Sequence, residues 1–186
     1  PPILLKAGIA LALSVLAYFL VVHFLKVINI TIPKELMVAV IVACGMVVLP
    51  GVAGDMKFNG EGLLMVLSLT LVNFTNLLIF SYHDYANDTK NSLESAATQW
   101  GIERTRGIIM YALASAFICF TIWTFFIVSP IKLPISIALL IMFNILLVIY
   151  IQEDRFAEDE KYRFWGDFIF IVPGLVWLLF QQTSFF

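Results

Sequence analysis

The sequence predicts an all-α fold, a polytopic membrane helix bundle with about six transmembrane helices. Three observations carry that expectation. Hydrophobic residues make up 61% of the 186-residue chain and charged residues 13%, at a mean hydropathy of +0.97, whereas about a quarter of a soluble domain is charged. Six runs, 7–25, 36–54, 62–82, 107–131, 133–152 and 168–186, contain no Asp, Glu, Lys or Arg, and each approaches or exceeds the roughly 20 residues a helix needs to cross a hydrocarbon core. None alternates polar with apolar residues as a barrel strand does, so helices, which satisfy their own backbone hydrogen bonds, are the expected spanning element.

Taken in order, the runs form a single transmembrane domain over 1–186. The first ends near His23, which reads as a hydrogen-bonded interfacial side chain rather than a ligand. It starts almost at the first residue, and Pro1 and Pro2 stand where an initiating Met would, so an upstream segment is expected. The second run holds Cys44 together with Gly45 and Pro50, which would kink or shorten it. Cys119 lies within the fourth, and both thiols read as small apolar packing groups. Asn73 and Asn76 in the third run and Asn144 in the fifth are costly in lipid and are expected to face inward. Before the sixth run comes QEDRFAEDEKYRFWGD, where Asp154 and Glu158 stand four apart like a metal pair. Pairing of Arg155 with Asp159 and of Asp159 with Arg163, each at i,i+4, favours a solvated surface helix instead. A net charge of −2 gives no basis for nucleic-acid binding, and membrane lipids are the expected surroundings.

Threading the chain through six spans puts Lys26, Lys34, Lys90, Arg104, Arg106, Arg155, Lys161 and Arg163 on one side, against Lys6, Lys57 and Lys132 on the other. The positive-inside rule makes the first side cytoplasmic. Asp84, Asp88, Glu94, Glu103 and the acids from Glu153 to Glu160 share that side, so a carboxylate site would open to the cytoplasm; Asp55 and Glu61 are the acids opposite. The expected location is an integral, multi-pass protein of an inner or plasma membrane.

The third run continues as FSYHDYANDTKNSLESAATQWG. On a continuous helix Asn76, Phe80, Asp84 and Asp88 advance four at a time and share a face. Two carboxylates one turn apart repel unless a cation lies between them, and Mg2+ suits such a pair because it keeps waters and takes phosphate oxygens. A solvated helix end is the ordinary alternative. Asn91 and Glu94 read as an N-cap with its capping-box acid, and Leu93, Ala96, Ala97 and Trp100 recur at i, i+3, i+4 and i+7 before a Gly101 stop. A short amphipathic surface helix with Trp100 at the interface, a lid over the mouth formed by 83–106, is the expected result.

The stretch DYANDTKNSLESAATQWG, Asp84 to Gly101, resembles the second aspartate motif of the UbiA superfamily of intramembrane prenyltransferases, a DxxxD followed by a small-residue, Thr/Ala-rich segment ending in glycine. The resemblance implies that the six runs correspond to the last six of nine helices. It further implies that Asp84 and Asp88 are catalytic and hold Mg2+ against a prenyl diphosphate, whose prenyl group passes to a lipophilic, aromatic acceptor. Asn76, Tyr85, Lys90, Arg104 and Arg106 are the candidate substrate-binding residues; Tyr82, Tyr85 and Trp100 could touch a ligand near the aspartates, interfacial anchoring being the alternative for all three. The sequence departs from the family in two places. Its first aspartate motif, at the end of the second of the nine helices, is not among these residues, and Glu94 stands where many members carry a base. Two other readings therefore stay open: a non-catalytic membrane scaffold with a protein partner in a membrane complex, and a transporter, which would show midplane charges or broken helices.

Overall fold

In the computed structural model the described residues are 33–53, 60–126 and 132–183, with single positions between Leu5 and Leu20. The 7–25 run therefore lies largely outside them, as do Lys6, His23, Lys26, Asp55, Lys57, the Pro1-Pro2 end and the ends of the second, fourth and sixth runs. All regular structure among the described residues is helical.

Helix α1 (Lys34–Ala53) runs through Gly45 without interruption. Ala39 and Ala43, spaced i,i+4 and fully buried, present a flat stripe that lets α1 pack closely on α2 (Gly60–His83). α2 is the central element, touching α1, α5 and α6 as well as the short helices at its C-terminal end. Its burial extends around much of the cylinder, through Leu69, Val72, Leu78 and Ile79 and also Ser68, Thr75, Asn73 and Asn76. Ser68 and Thr75 donate back to the carbonyls of Leu64 and Leu71 at 2.8 Å, so these hydroxyls are satisfied within the helix.

Two short helices follow, α3 (Tyr85–Lys90) and α4 (Ala96–Trp100), and then α5 (Ile102–Phe126) returns along α2. α5 starts five residues before the expected 107, because Gly101 ends α4 at φ +86° and Thr105 bonds back to the Gly101 carbonyl at 2.9 Å. Glu103, Arg104 and Arg106 thus belong to its first turns rather than to a loop. Ile109, Leu113, Ala116 and Trp123 face the core, whereas Met110, Tyr111, Phe117, Ile118 and Phe125 are exposed. Apolar residues on the outer face of an apolar helix are what lipid, not water, accommodates.

Helix α6 (Lys132–Ile151) buries Leu139, Met142, Leu146 and Ile149 against the same core. Asn144 is on its exposed face, contrary to the inward placement expected, with its amide donor satisfied by the Leu140 carbonyl at 2.7 Å. Asn73 and Asn76 do face inward.

The last expected span, 168–186, is helical from Val172 to Thr183 among the described residues and is entered through a bend. α7 (Glu153–Ala157) and a 3-10 turn (Glu158–Glu160) precede α8 (Lys161–Phe168) and α9 (Val172–Thr183). The segment through α7 and α8 meets α9 at 48°. Pro173, lacking an N–H, stands at the second position of α9, where it continues a helix but cannot close the preceding turn. Among the described residues, three helices, Gly62–His83, Ile102–Phe125 and Leu133–Ile151, are long and apolar enough to cross a membrane, or four if the bent pair counts as one span.

Candidate functional site at the polar end of the bundle

The C-terminal end of α2, the start of α5, the end of α6 and the helices α3, α4, α7 and α8 meet at one end of the bundle, and Glu35 of α1 joins them through a hydrogen bond to α4. That end carries the polar contacts. The helical ladder runs on through the junction after α2, with the Asp84 N–H donating to Phe80 at 2.9 Å and the Asp88 N–H to Asp84 at 2.8 Å. The four-residue progression from Asn76 to Asp88 is therefore kept.

Asp84 does not stand alone. One of its oxygens, Oδ1, accepts from the Tyr162 hydroxyl at 2.6 Å and from Arg163 Nη2 at 2.6 Å, and only 17% of the side chain is exposed. Tyr162 is buried, stacks on His83 at 4.4 Å and meets Phe80 edge-on at 5.9 Å. Burial, then the hydrogen bond to Asp84, pushes its phenol up to about 12, so the hydroxyl stays a donor. Arg163 also reaches Glu160 at 3.2 Å and lies 5.6 Å over the Tyr162 ring.

The expected pairing of Asp159 with Arg155 and Arg163 is corrected here. Asp159 and Glu160 both adopt left-handed conformations, φ +54° and +53°, which break the helix on which an i,i+4 pair would form. Arg155 instead approaches Gln152 at 3.4 Å, and Asp159 lies 3.7 Å from Lys161.

Asn76 supports α8. Its amide donates to the Gly166 carbonyl at 3.1 Å, while its Oδ1 is buried without a partner among the described residues. Gly166 is required by the closeness of α8 to α2: a Cβ there would lie 2.5 Å from Asn76 Oδ1 and 2.7 Å from Phe80 Cζ. A second cluster joins α2, α5 and α7, where Glu153 accepts from the Tyr82 hydroxyl at 3.0 Å and pairs with Arg106 at 3.1 Å.

α4 is anchored rather than loose. Its capping box is formed by Ser95 and Thr98, not Asn91 and Glu94, because Ser92 turns the chain at φ +54° and Asn91 closes α3 instead. Leu93 is consequently 52% exposed. The first N–H groups of α4 find tertiary acceptors: Ala96 donates to Glu35 Oε1 at 2.9 Å and Ala97 to Ser81 Oγ at 2.8 Å. Glu35 is 6% exposed, and its second oxygen has no partner among the described residues.

Of the residues singled out from the sequence, Asp84 and Asn76 contact α8, Asp88 lies one turn past Asp84 on α3, Arg106 belongs to the Glu153 cluster, and Tyr85 is half-buried at the start of α3. Lys90 and Arg104 are exposed, and no contact among the described residues holds the Asp88 carboxylate. The sequence does not single out Glu35, Ser81, Tyr162 or Gly166, and it presents Glu153 and Arg163 only as charges of a solvated loop. The one available signal was the i,i+4 placement of Tyr162 and Gly166, both on the buried face of α8.

No group of three or more His, Cys, Asp or Glu among the described residues could hold a metal ion. The donors present are two hard carboxylates, with one oxygen of Asp84 engaged by Arg163. That set fits a Mg2+ ion that draws its remaining ligands from water and phosphate. A cavity of about 90 Å3 lies between Met46, Met65, Met142 and Trp177, a groove of about 460 Å3 runs along α6 by Asn144, Val148 and Trp165, and a pocket of about 320 Å3 lies at the polar end between Gln152, Arg155, Lys161 and Trp165; none of the three is lined by Asp84 or Asp88. Compared with family models, curated proteins and solved structures, the chain matches none.

Proposed function

We propose that the chain is the last six helices of a UbiA-like prenyltransferase, which moves a prenyl group from a prenyl diphosphate to a lipophilic, aromatic acceptor. The observation that carries this reading is the Asp84/Asp88 pair at the polar end of an apolar bundle, followed by a buttressed short helix that stops at Gly101. Asp84 and Asp88 would hold Mg2+, which when bound supplies positive charge for the departing diphosphate. Lys90, just past Asp88, and Arg104, in the first turn of α5, are both exposed and would hold the phosphate oxygens. Tyr85 would offer its ring to the developing allylic cation. The apolar interior excludes water from that cation, and contact with the isoprenoid tail contributes about 0.8 kcal/mol per buried CH2. The excess of Lys and Arg at this end makes it the cytoplasmic one.

One observation favours a second reading, a non-catalytic scaffold. Asp84 and Arg106, both candidates for ligand binding, are each neutralised by an internal partner, Arg163 and Glu153. The two readings separate in a binding experiment on the full chain in nanodiscs with a labelled prenyl diphosphate. The enzyme requires Mg2+-dependent binding that is lost in Asp84→Asn/Asp88→Asn; absence of binding to the unaltered protein sinks it and leaves the scaffold.

A further inference from the structure

We propose that Arg163 is a built-in counter-cation seated on Asp84, which a divalent ion must displace before the polar end takes up a diphosphate. The inference rests on the reading of Asp84 and Asp88 as the metal pair and adds the step that regulates it. The two carboxylates are unequal: that of Asp88 has no hydrogen bond or ion pair among the described residues, whereas Asp84 Oδ1 is held at 2.6 Å by both Arg163 and the Tyr162 hydroxyl. These contacts reach across 79 and 78 residues of sequence, so they are a product of the fold and not of local helix geometry.

α8 itself is fixed from behind, by Asn76 on the Gly166 carbonyl and by the stacking of Tyr162 on His83. The Arg163 side chain is 44% exposed, so it can swing away while the helix stays in place. A divalent ion bridging the pair needs an oxygen of Asp84, and a guanidinium on that carboxylate repels it. Exchange resolves the conflict, since Asp84 is neutralised in both states. The displaced fork, still paired with Glu160, then faces the mouth with donors suited to phosphate oxygens.

The experiment is a Mn2+ titration of the full chain in nanodiscs, followed by electron paramagnetic resonance without substrate. Arg163→Gln should bind Mn2+ about tenfold more tightly than the unaltered protein, the scale of one charge-assisted hydrogen bond. Arg155→Gln, which removes the same charge at the same end without a contact to Asp84, should change binding less than about twofold. With Mn2+ bound, Arg163→Gln should also weaken inorganic pyrophosphate binding. If Arg163→Gln does not fold, Arg163→Lys, which keeps the charge but loses the planar fork, decides the matter by an intermediate gain in Mn2+ affinity. Equal effects of Arg163→Gln and Arg155→Gln, or no gain in either Arg163 variant, overturn the exchange. In that case Mn2+ binding that is abolished by Asp88→Asn leaves the metal pair standing. Absence of Mn2+ binding in every variant overturns the exchange and the metal pair together.

Discussion

Two surface segments meet at the polar end, and they are held by opposite means. The α3–α4 segment, which carries the aspartate motif, is fixed through neutral backbone donors: Ala96 on Glu35, Ala97 on Ser81, and Ser95 on Thr98. The α7–α8 segment, dense in charge, supplies the ionic contact, Arg163 on Asp84, and does so from a helix docked by Asn76 and Gly166. Motif-like spacing thus marks where a carboxylate pair lies, while the cation that answers it comes from a stretch whose local pattern resembles any solvated loop. Charge in a sequence is local; its partner is set by docking.

The largest effect should come from prying the second segment off α2. Gly166→Ala places a methyl group against the buried Asn76 amide and the half-buried Phe80 ring, at distances that oblige one side to shift. Overpacking of this kind costs about 1–3 kcal/mol. Thermal unfolding in detergent should show the loss, and hydrogen exchange should show α8 opening while α4 keeps its protection. Equal deprotection of both segments would mean that they are one unit and that the contrast drawn above is false.

The complementary change acts on the first segment. Glu35→Ala removes the acceptor of the Ala96 N–H in a buried site, leaving an unsatisfied donor at a cost of about 1–3 kcal/mol. Glu35→Gln keeps an acceptor oxygen there and should restore most of the protection of Ala96 and Ala97. If Glu35→Ala leaves the exchange rates of α4 unchanged, the short helix is held by its own capping box and α1 has no part in placing it.

How far these features could be read from the sequence follows from where each one is encoded. The spanning runs were legible because hydropathy is summed over about 20 residues: the second to the fifth of the expected runs emerge among the described residues as the helices Lys34–Ala53, Gly60–His83, Ile102–Phe126 and Lys132–Ile151, and the last three of these are long and apolar enough to cross a membrane. The Gly101 stop was legible because its left-handed φ is a local property of one residue. The angle at which the last run is entered was not legible, since apolarity says nothing of the bend between α8 and α9. Asn144 misled: the cost of an amide in lipid can be met by its own helix, through the Leu140 carbonyl, as well as by a neighbour. Glu35 could not be told from any acid in a first helical turn, and Tyr162 and Arg163 depend on the docking of α8, which one sequence without its fold does not encode visibly.

The smallest expected effect tests the hinges of both segments. Ser92 after α3 and Asp159 before α8 each hold φ at +54° without being glycine, and a left-handed residue with a Cβ costs roughly 1–2 kcal/mol. Ser92→Gly should stabilise by up to about 1 kcal/mol after the larger chain entropy of glycine is subtracted, because no hydrogen bond among the described residues depends on the exposed Ser92 side chain. Asp159→Gly should give less, since it also gives up the Lys161 contact at 3.7 Å, although an exposed pair of that length is worth little. Chemical unfolding midpoints measure both. A destabilised Ser92→Gly would show that the turn after α3 is held by its hydroxyl, which would make the first segment, like the second, dependent on a specific side-chain contact at its hinge.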